Sequence, residues 1–136
     1  MSYIRYIYSQ MYKNYREGGS LVKPLFFDFP SDDMCFEDIE HTYMLGDAVK
    51  VSPVLEAGVN ETYKAYFPAG RWADLNDYTQ MVDSKGDHFD LKQSLYQTNI
   101  HLKEGNIIPF QKNVGPFKTT KELETNSKVS FLVMRD

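Results

Sequence analysis

The sequence predicts a mixed fold: a helix–strand–helix segment of the α/β kind, followed by an antiparallel β-sandwich. Three observations predict it. Apolar residues recur at spacings of three and four over residues 2–17. Residues 20–29 are apolar almost without interruption, and from Ala48 onward short strand-like runs alternate with turn residues. The texture changes near Gly46-Asp47, which divides the chain into residues 1–47 and 48–136.

The first element is an amphipathic helix over residues 2–17. Ile4, Ile7, Tyr8, Met11, Tyr12 and Tyr15 form its apolar stripe, and Arg5, Ser9, Gln10, Lys13, Asn14 and Arg16 its polar face. Gly18-Gly19 stops it, because glycine takes the left-handed C-terminal conformation without a Cβ clash. The run at 20–29 reads as a strand covered on both faces, as in a parallel sheet. Pro24 removes one backbone donor and argues for an edge position or a bulge. After Pro30, Asp32 or Asp33 can cap a second helix over roughly 34–45, with Phe36, Ile39, Tyr43 and Met44 facing inward. Helix, buried strand and helix together make a fragment of a repeating α/β pattern.

The second part reads as strands. Val49, Val51 and Val54 belong to the first, Thr62–Phe67 is the next, and Pro68-Ala69-Gly70 is a turn before a strand that begins at Arg71. Residues 76–87 are polar and glycine-containing and read as a loop with a hairpin tip at 83–87. Segments 88–91 and 99–103 alternate with period two, 104–106 is a tight turn, and 107–110 returns. A helical turn over 119–125 and a last strand over 129–134 complete the sandwich. Its expected core is Trp72, Leu75, Ile100, Leu102, Ile107, Leu132 and Met134.

Composition narrows the function. The chain of 136 residues has a net charge of −4, so its overall field does not draw nucleic acid or anionic lipid. One cysteine, Cys35, excludes an intrachain disulfide and a cysteine-rich zinc module. No stretch approaches the roughly 20 apolar residues that span a bilayer, and no signal peptide is visible after Met1. The aromatics, 10 Tyr, 9 Phe and 1 Trp, crowd the front of the chain. Two short elements cannot bury so many rings alone, so residues 1–47 are expected to belong to a larger core.

Candidate chemistry is sparse. Asp28 follows the aromatic run and stands either at the C-terminal end of a barrel strand, where barrel enzymes place catalytic groups, or as a plain strand-end residue. Asp32, Asp33, Glu37, Asp38 and Glu40 either pair for acid–base work or favour a helix start through its dipole. His41, His88 and His101 are too scattered for a local metal motif, and His101 is expected on the polar face of its strand. Cys35 has no basic neighbour in sequence to hold a thiolate and reads as a structural thiol. Residues 83–87 have calcium-loop composition without the EF-hand spacing. Trp72 either stacks on a sugar ring or anchors the core. Asn60-Glu61-Thr62 is a glycosylation sequon, which makes Asn60 a possible glycan acceptor in a secretory lumen. No catalytic, substrate-binding or metal-ligating residue is assigned, and no cofactor is expected.

Six segments, in order, resemble glycoside hydrolase family 31, the α-glucosidase family. Tyr3-Ile-Arg-Tyr-Ile-Tyr-Ser-Gln-Met-Tyr12 is similar to its Leu-Leu-Pro-Tyr-Leu-Tyr helix, with Arg5 near the place of the proline. Lys23-Pro-Leu-Phe-Phe-Asp-Phe-Pro30 resembles Arg-Pro-Leu-Phe-x-Glu-Phe-Pro, with Lys for Arg and Asp for Glu. Tyr43-Met-Leu-Gly-Asp-Ala-Val-Lys-Val-Ser-Pro-Val54 resembles Phe-Met-Leu-Gly-x-Ala-Leu-Leu-Val-Ala-Pro-Val. Tyr66-Phe-Pro-Ala-Gly-Arg-Trp-Ala-Asp74 is similar to Tyr-Leu-Pro-x-Gly-x-Trp-Tyr-Asp, and Leu102-Lys-Glu-Gly-Asn-Ile-Ile-Pro109 to Val-Arg-Gly-Gly-x-Ile-Ile-Pro. Thr119-Thr120 and Phe131-Leu-Val resemble the family's next stretch.

The resemblance implies a piece of a retaining, exo-acting α-glycosidase. Residues 1–47 would be the last helix and eighth strand of its (β/α)₈ barrel, and 48–136 its proximal β-sandwich. The nucleophile and acid–base carboxylates of such an enzyme lie upstream of this chain, so the piece is expected to brace the barrel and to be inactive alone. Its partners would be the missing barrel portion and, in the full-length enzyme only, a carbohydrate substrate. Members of the family work in lysosomes, the secretory lumen or the cytoplasm, and the resemblance does not choose among them. The other reading is a non-catalytic β-sandwich that binds sugar or protein.

Overall fold

The computed structural model describes residues 2–37, 40–55, 62–92, 97–111, 119, 121–122 and 128–136. Its frame is a six-stranded antiparallel sheet. The strands are β1 (Val22–Pro24), β2 (Tyr43–Leu45), β3 (Val49–Ser52), β5 (Gly70–Asp74), β6 (Met81–Ser84) and β8 (Asn99–Lys103), in the order β1-β2-β3-β8-β5-β6. Two ribbons flank it: β4 (Thr62–Phe67) with β7 (Asp87–Lys92), and β9 (Asn106–Gln111) with β10 (Val129–Met134). Helix α1 is Ile4–Glu17 and α2 is Met34–Glu37.

Alternation along the strands builds two cores, one on each face of the sheet. Val49, Val51, Ile100, Leu102 and Ala73 point one way and meet Tyr6 of α1, with Ile108 and Met134 of the β9–β10 ribbon. Met44, Trp72 and Val82 point the other way and meet Ala65, Phe67 and Leu91 of the β4–β7 ribbon, with Leu25 and Cys35. The central sheet is therefore covered on both faces. This is the antiparallel sandwich architecture the sequence predicts.

Several elements differ from expectation. The run at 20–29 is not one strand: β1 ends at Pro24 and gives way to a 3₁₀ turn over Leu25–Phe27. Proline has no N–H to carry the ladder further. Its expected edge position does hold, since β1 is the outermost strand, and it pairs antiparallel to β2 rather than in a parallel sheet. Of the helix expected over 34–45, Met34–Glu37 is helical, Asp38 and Ile39 lie outside the described residues, and Tyr43-Met44 are strand. Sequence spacing could not decide there, because Met44 packs inward with period two while Phe36 is exposed. The predicted division at Gly46-Asp47 falls in the turn of the β2–β3 hairpin, and hydrogen bonding continues across it.

The loop expected over 76–87 contains β6, whose only apolar residues are Met81 and Val82. The turn after it is not a hairpin tip. β6 pairs with β5 while β7 pairs with β4, so the chain crosses there from one sheet to another. The same happens after Glu104-Gly105, since β8 pairs with β3 and β5 and β9 pairs with β10. That crossing sets the register of β9. Ile108 is fully buried and Ile107 is 62% exposed, against the expectation that Ile107 belongs to the core. Trp72, Leu75, Leu102 and Met134 are buried as expected, and Ile100 and Leu132 pack partly buried against the core. Of the helical turn expected over 119–125, Thr119, Lys121 and Glu122 alone are described, the last two in helical conformation.

The turn between β2 and β3 fastens α1 to the sheet. The Tyr6 hydroxyl donates to Leu45 O (2.7 Å) and accepts from the Ala48 amide (3.0 Å). Burial, the leading cause, pushes this phenol up to about 12. Gly46 sits between those two partners with φ +63°, and a Cβ there would lie 2.5 Å from Tyr6 Oη and 2.6 Å from Gln10 Cγ. Gly46→Ala is therefore expected to cost about 2–3 kcal/mol, from left-handed strain and displacement of the phenol. Denaturant unfolding measures the loss, and faster hydrogen exchange at the Ala48 amide locates it. An unchanged midpoint would show that the turn can open without cost.

Candidate functional site

Besides the exposed Ile107, Val129, Phe131 and Val133 of the β9–β10 ribbon, polar or exposed apolar groups that the core does not account for gather at three further places. The first is the outer face of α1. The helix is held to the sandwich near its N-terminus: Tyr3 donates its hydroxyl to Leu75 O (3.1 Å), and Arg5 Nε donates to Gln111 Oε1 (3.3 Å). The residue it buries is Tyr6, which lies off the predicted apolar stripe. Tyr8, Met11, Tyr12 and Tyr15, four residues of that stripe, are exposed, Tyr15 by 84%. They lie at i, i+3, i+4 and i+7, so they form one face. Val22, Phe27 and Phe36 are exposed apolar residues on the segments after the helix.

The second is a chain of charges under this helix. Lys13 Nζ meets Asp47 Oδ2 at 2.7 Å, Lys23 Nζ meets Asp47 Oδ1 at 3.1 Å, and Lys23 also meets Asp28 Oδ1 at 2.8 Å. The hydrogen bond from Lys13, seconded by Lys23, holds the Asp47 carboxyl below its ordinary value against the opposing effect of burial. Asp28 is thus one half of an ion pair, and its Oδ2 is buried with no partner among the described residues.

The third lies between the central sheet and the β4–β7 ribbon. Met44, Lys50, His101 and Asp74 stand directly opposite one another on β2, β3, β8 and β5 and form a row across the sheet. Lys50 is fully buried, donates to Ser52 Oγ, and places Nζ 3.7 Å from the centre of the Phe67 ring. His101 meets the same ring edge-on at 4.8 Å and is 1% exposed. Both faces of β8 are covered, so the polar face expected for His101 is an interior one. Burial first, then the nearby Lys50 cation, lowers the imidazole from 6.5 to about 3.

The remaining expected residues take a variety of places. Asp32 is not a cap: its carboxylate accepts the Tyr66 hydroxyl at 2.8 and 2.7 Å, and burial followed by that carboxylate raises the phenol. Asp33, Glu37 and Glu40 are exposed, and Asp38 and Asn60 lie outside the described residues. Cys35 is fully buried. His88 is exposed with its ring 5.2 Å from Tyr66, and His41 is half-buried. Trp72 is a core anchor, with Nε1 donating to Pro68 O at 3.0 Å. Among the described residues, no group of His, Cys, Asp or Glu has the arrangement to hold a metal ion. No described helix is long and apolar enough to cross a membrane. The Lys50–His101–Asp74 row escapes a reading of sequence, since the three residues come from three separated strands.

The sandwich thus fixes a helix in place and leaves an aromatic face of it exposed. Residues 18–108 match the glycosyl hydrolase family 31 C-terminal domain. The chain belongs to that family. It is 40% identical over 109 residues to an alpha-glucosidase of Hordeum vulgare, covering 79% of this chain and 12% of the relative. It is 33% identical over 131 residues to the lysosomal alpha-glucosidase of Bos taurus, covering 86% of this chain and 13% of the relative. The chain thus spans about an eighth of the length of these relatives. Among solved structures, the family 31 dextranase of Flavobacterium johnsoniae superposes with a TM-score of 0.83 at 22% identity, over 98% of this chain and 16% of that one.

Proposed function

We propose that this chain is part of a retaining α-glucosidase-like hydrolase acting on O-glycosyl bonds, in which it braces the catalytic barrel. In this reading α1 is the last helix of a (β/α)₈ barrel, and the segment up to residue 47 leads from it into the central sheet of the proximal sandwich, where β1 and β2 pair. The barrel portion of the parent enzyme is the partner, and the carbohydrate substrate is met only there. The observation that carries the reading is the row Tyr8, Met11, Tyr12 and Tyr15, exposed on a helix that the sandwich already holds. An apolar face of that kind marks an interaction surface. The Lys13–Asp47–Lys23–Asp28 chain supports it, by fixing the angle at which the helix is presented.

Catalysis by the chain alone is not expected. A retaining glycosidase needs two carboxyl groups about 5–5.5 Å apart on either side of one glycosidic bond. Asp28 is paired to Lys23, and Asp32 is taken by Tyr66. The purified chain should therefore show no turnover of an aryl α-glucoside above buffer. Turnover that Asp28→Asn abolishes would overturn the reading and make Asp28 catalytic. In the same preparation, changing Tyr8, Met11, Tyr12 and Tyr15 to Ser should markedly reduce binding of a hydrophobic dye and self-association, with the circular dichroism of the sandwich retained. Unchanged dye binding would place the sticky surface elsewhere and remove the support for barrel docking.

A further inference from the structure

On the face of the central sheet away from α1, the β4–β7 ribbon and the sheet part to leave a pocket of about 380 Å³. That is within the range of about 300–1,000 Å³ usual for small-molecule sites. Its rim carries the carboxylates of Asp74, Asp77 and Asp90 and the amides of Gln97 and Asn99. Val82 and Leu91 supply an apolar strip. His101 also lines it. This ring is 1% exposed, and among the described residues its Nδ1 has no hydrogen-bond partner.

The lining selects a class of ligand. Among the described residues, three carboxylates against the single cation Lys92 repel phosphates and organic acids. No described cluster fits a metal ion. Among uncharged ligands, a molecule rich in hydroxyls fits: it can donate to carboxylates, exchange hydrogen bonds with amides, and lay its C–H face on Val82 and Leu91. Part of each of two carboxylates is already engaged inside the protein: Asp74 Oδ1 accepts the Asn76 and Asp77 amides, and Asp77 Oδ1 accepts from Thr79. These bonds hold the two groups in place. Asn99 is likewise fixed, its Nδ2 donating to Tyr63 Oη and to Lys92 O. His101 lies beneath this rim, so its ring reports on what fills the pocket.

We propose that this pocket is a saccharide site, taking a neutral mono- or disaccharide with His101 at its floor and Asp74 and Asp90 at its rim. The choice of saccharide among hydroxyl-rich ligands rests on the glycosidase reading; the pocket itself does not. The test is to titrate the chain at pH 7 with maltose, with glycerol and with calcium chloride, following the imidazole resonances of His101 by NMR. Maltose should shift them saturably. Asp90→Ala removes one charged acceptor from the exposed rim and should weaken maltose about tenfold or more, with the circular dichroism unchanged. Absence of a saturable maltose shift would overturn the proposal. So would equal affinity for glycerol, which would make the pocket a general polyol groove, or a response to calcium alone, which would make it a cation site. A maltose affinity untouched by Asp90→Ala would place the sugar elsewhere. None of these results bears on the parent's glycosidase activity, which the turnover and dye experiments address separately.

Discussion

Trp72→Ala should remove most of the stability of this domain. The side chain is fully buried, with Phe67 edge-on at 6.0 Å and Phe29 tilted at 6.1 Å, and its Nε1 satisfies Pro68 O. Truncating a large buried aromatic to Ala costs about 3–5 kcal/mol, from lost transfer free energy and the cavity left behind. A domain of this size has about 5–15 kcal/mol in total. The thermal midpoint should fall by about 10–20 °C, read by far-UV circular dichroism because the variant has no tryptophan. Trp72→Phe keeps part of the ring volume and should lose distinctly less. A shift of only a degree or two for the Ala variant would mean that Phe67 and Phe29 collapse into the space, and that the second core is not a close-packed unit.

Acid should destabilise the domain well before its carboxylates protonate. His101 is neutral in the folded state, with its pKa lowered from 6.5 to about 3 by burial and then by Lys50. The unfolded chain takes up a proton at this residue as the pH falls through 6.5, and the folded chain does not. The stabilisation is thus complete above pH 6.5 and is lost progressively toward pH 3. Each pH unit in that window costs up to about 1.4 kcal/mol. Stability at about pH 4 should therefore lie about 2–3 kcal/mol below that at about pH 7. The control is His101→Phe, which fills the site without a titrating group and should flatten the profile between about pH 6.5 and 4. A wild-type profile already flat there would show that the imidazole accepts a proton in place, with Asp74 across the strand pair as its counter-charge.

Much of this architecture was legible residue by residue. The strands at 62–67, 99–103 and 129–134 carried their own period-two or β-rich pattern between turn residues, and the structure keeps them. The segments that misled are those whose partners lie far away. Tyr43 and Met44 fit a helix by spacing from Phe36, and only pairing with β3 makes them strand. Ile107 and Ile108 are adjacent and chemically alike, so the choice between them is a matter of register, which the crossing from β8 to β9 decides. His101 looked solvent-facing because the sequence does not announce the ribbon that covers it. The uncovered stripe of α1 was readable in advance as an excess of aromatics without enough surroundings to bury them. The pocket was not, since its walls come from segments near 74–82, 90–92 and 97–101 that carry no shared motif.

The ties at the start of α1 also set an order of events during synthesis. Ser2 O accepts the amide of Gln111 at 2.9 Å, and Arg5 reaches the side chain of the same residue across 106 positions of sequence. The opening residues and the ninth strand must meet before either is in its final place. Contacts of such long separation are formed late, because the loop between them has to be closed first. During synthesis α1 is made before the strands that hold it, and its ties to β9 wait until nearly the whole domain has followed. The first turn of α1 is among the last parts of this domain to settle.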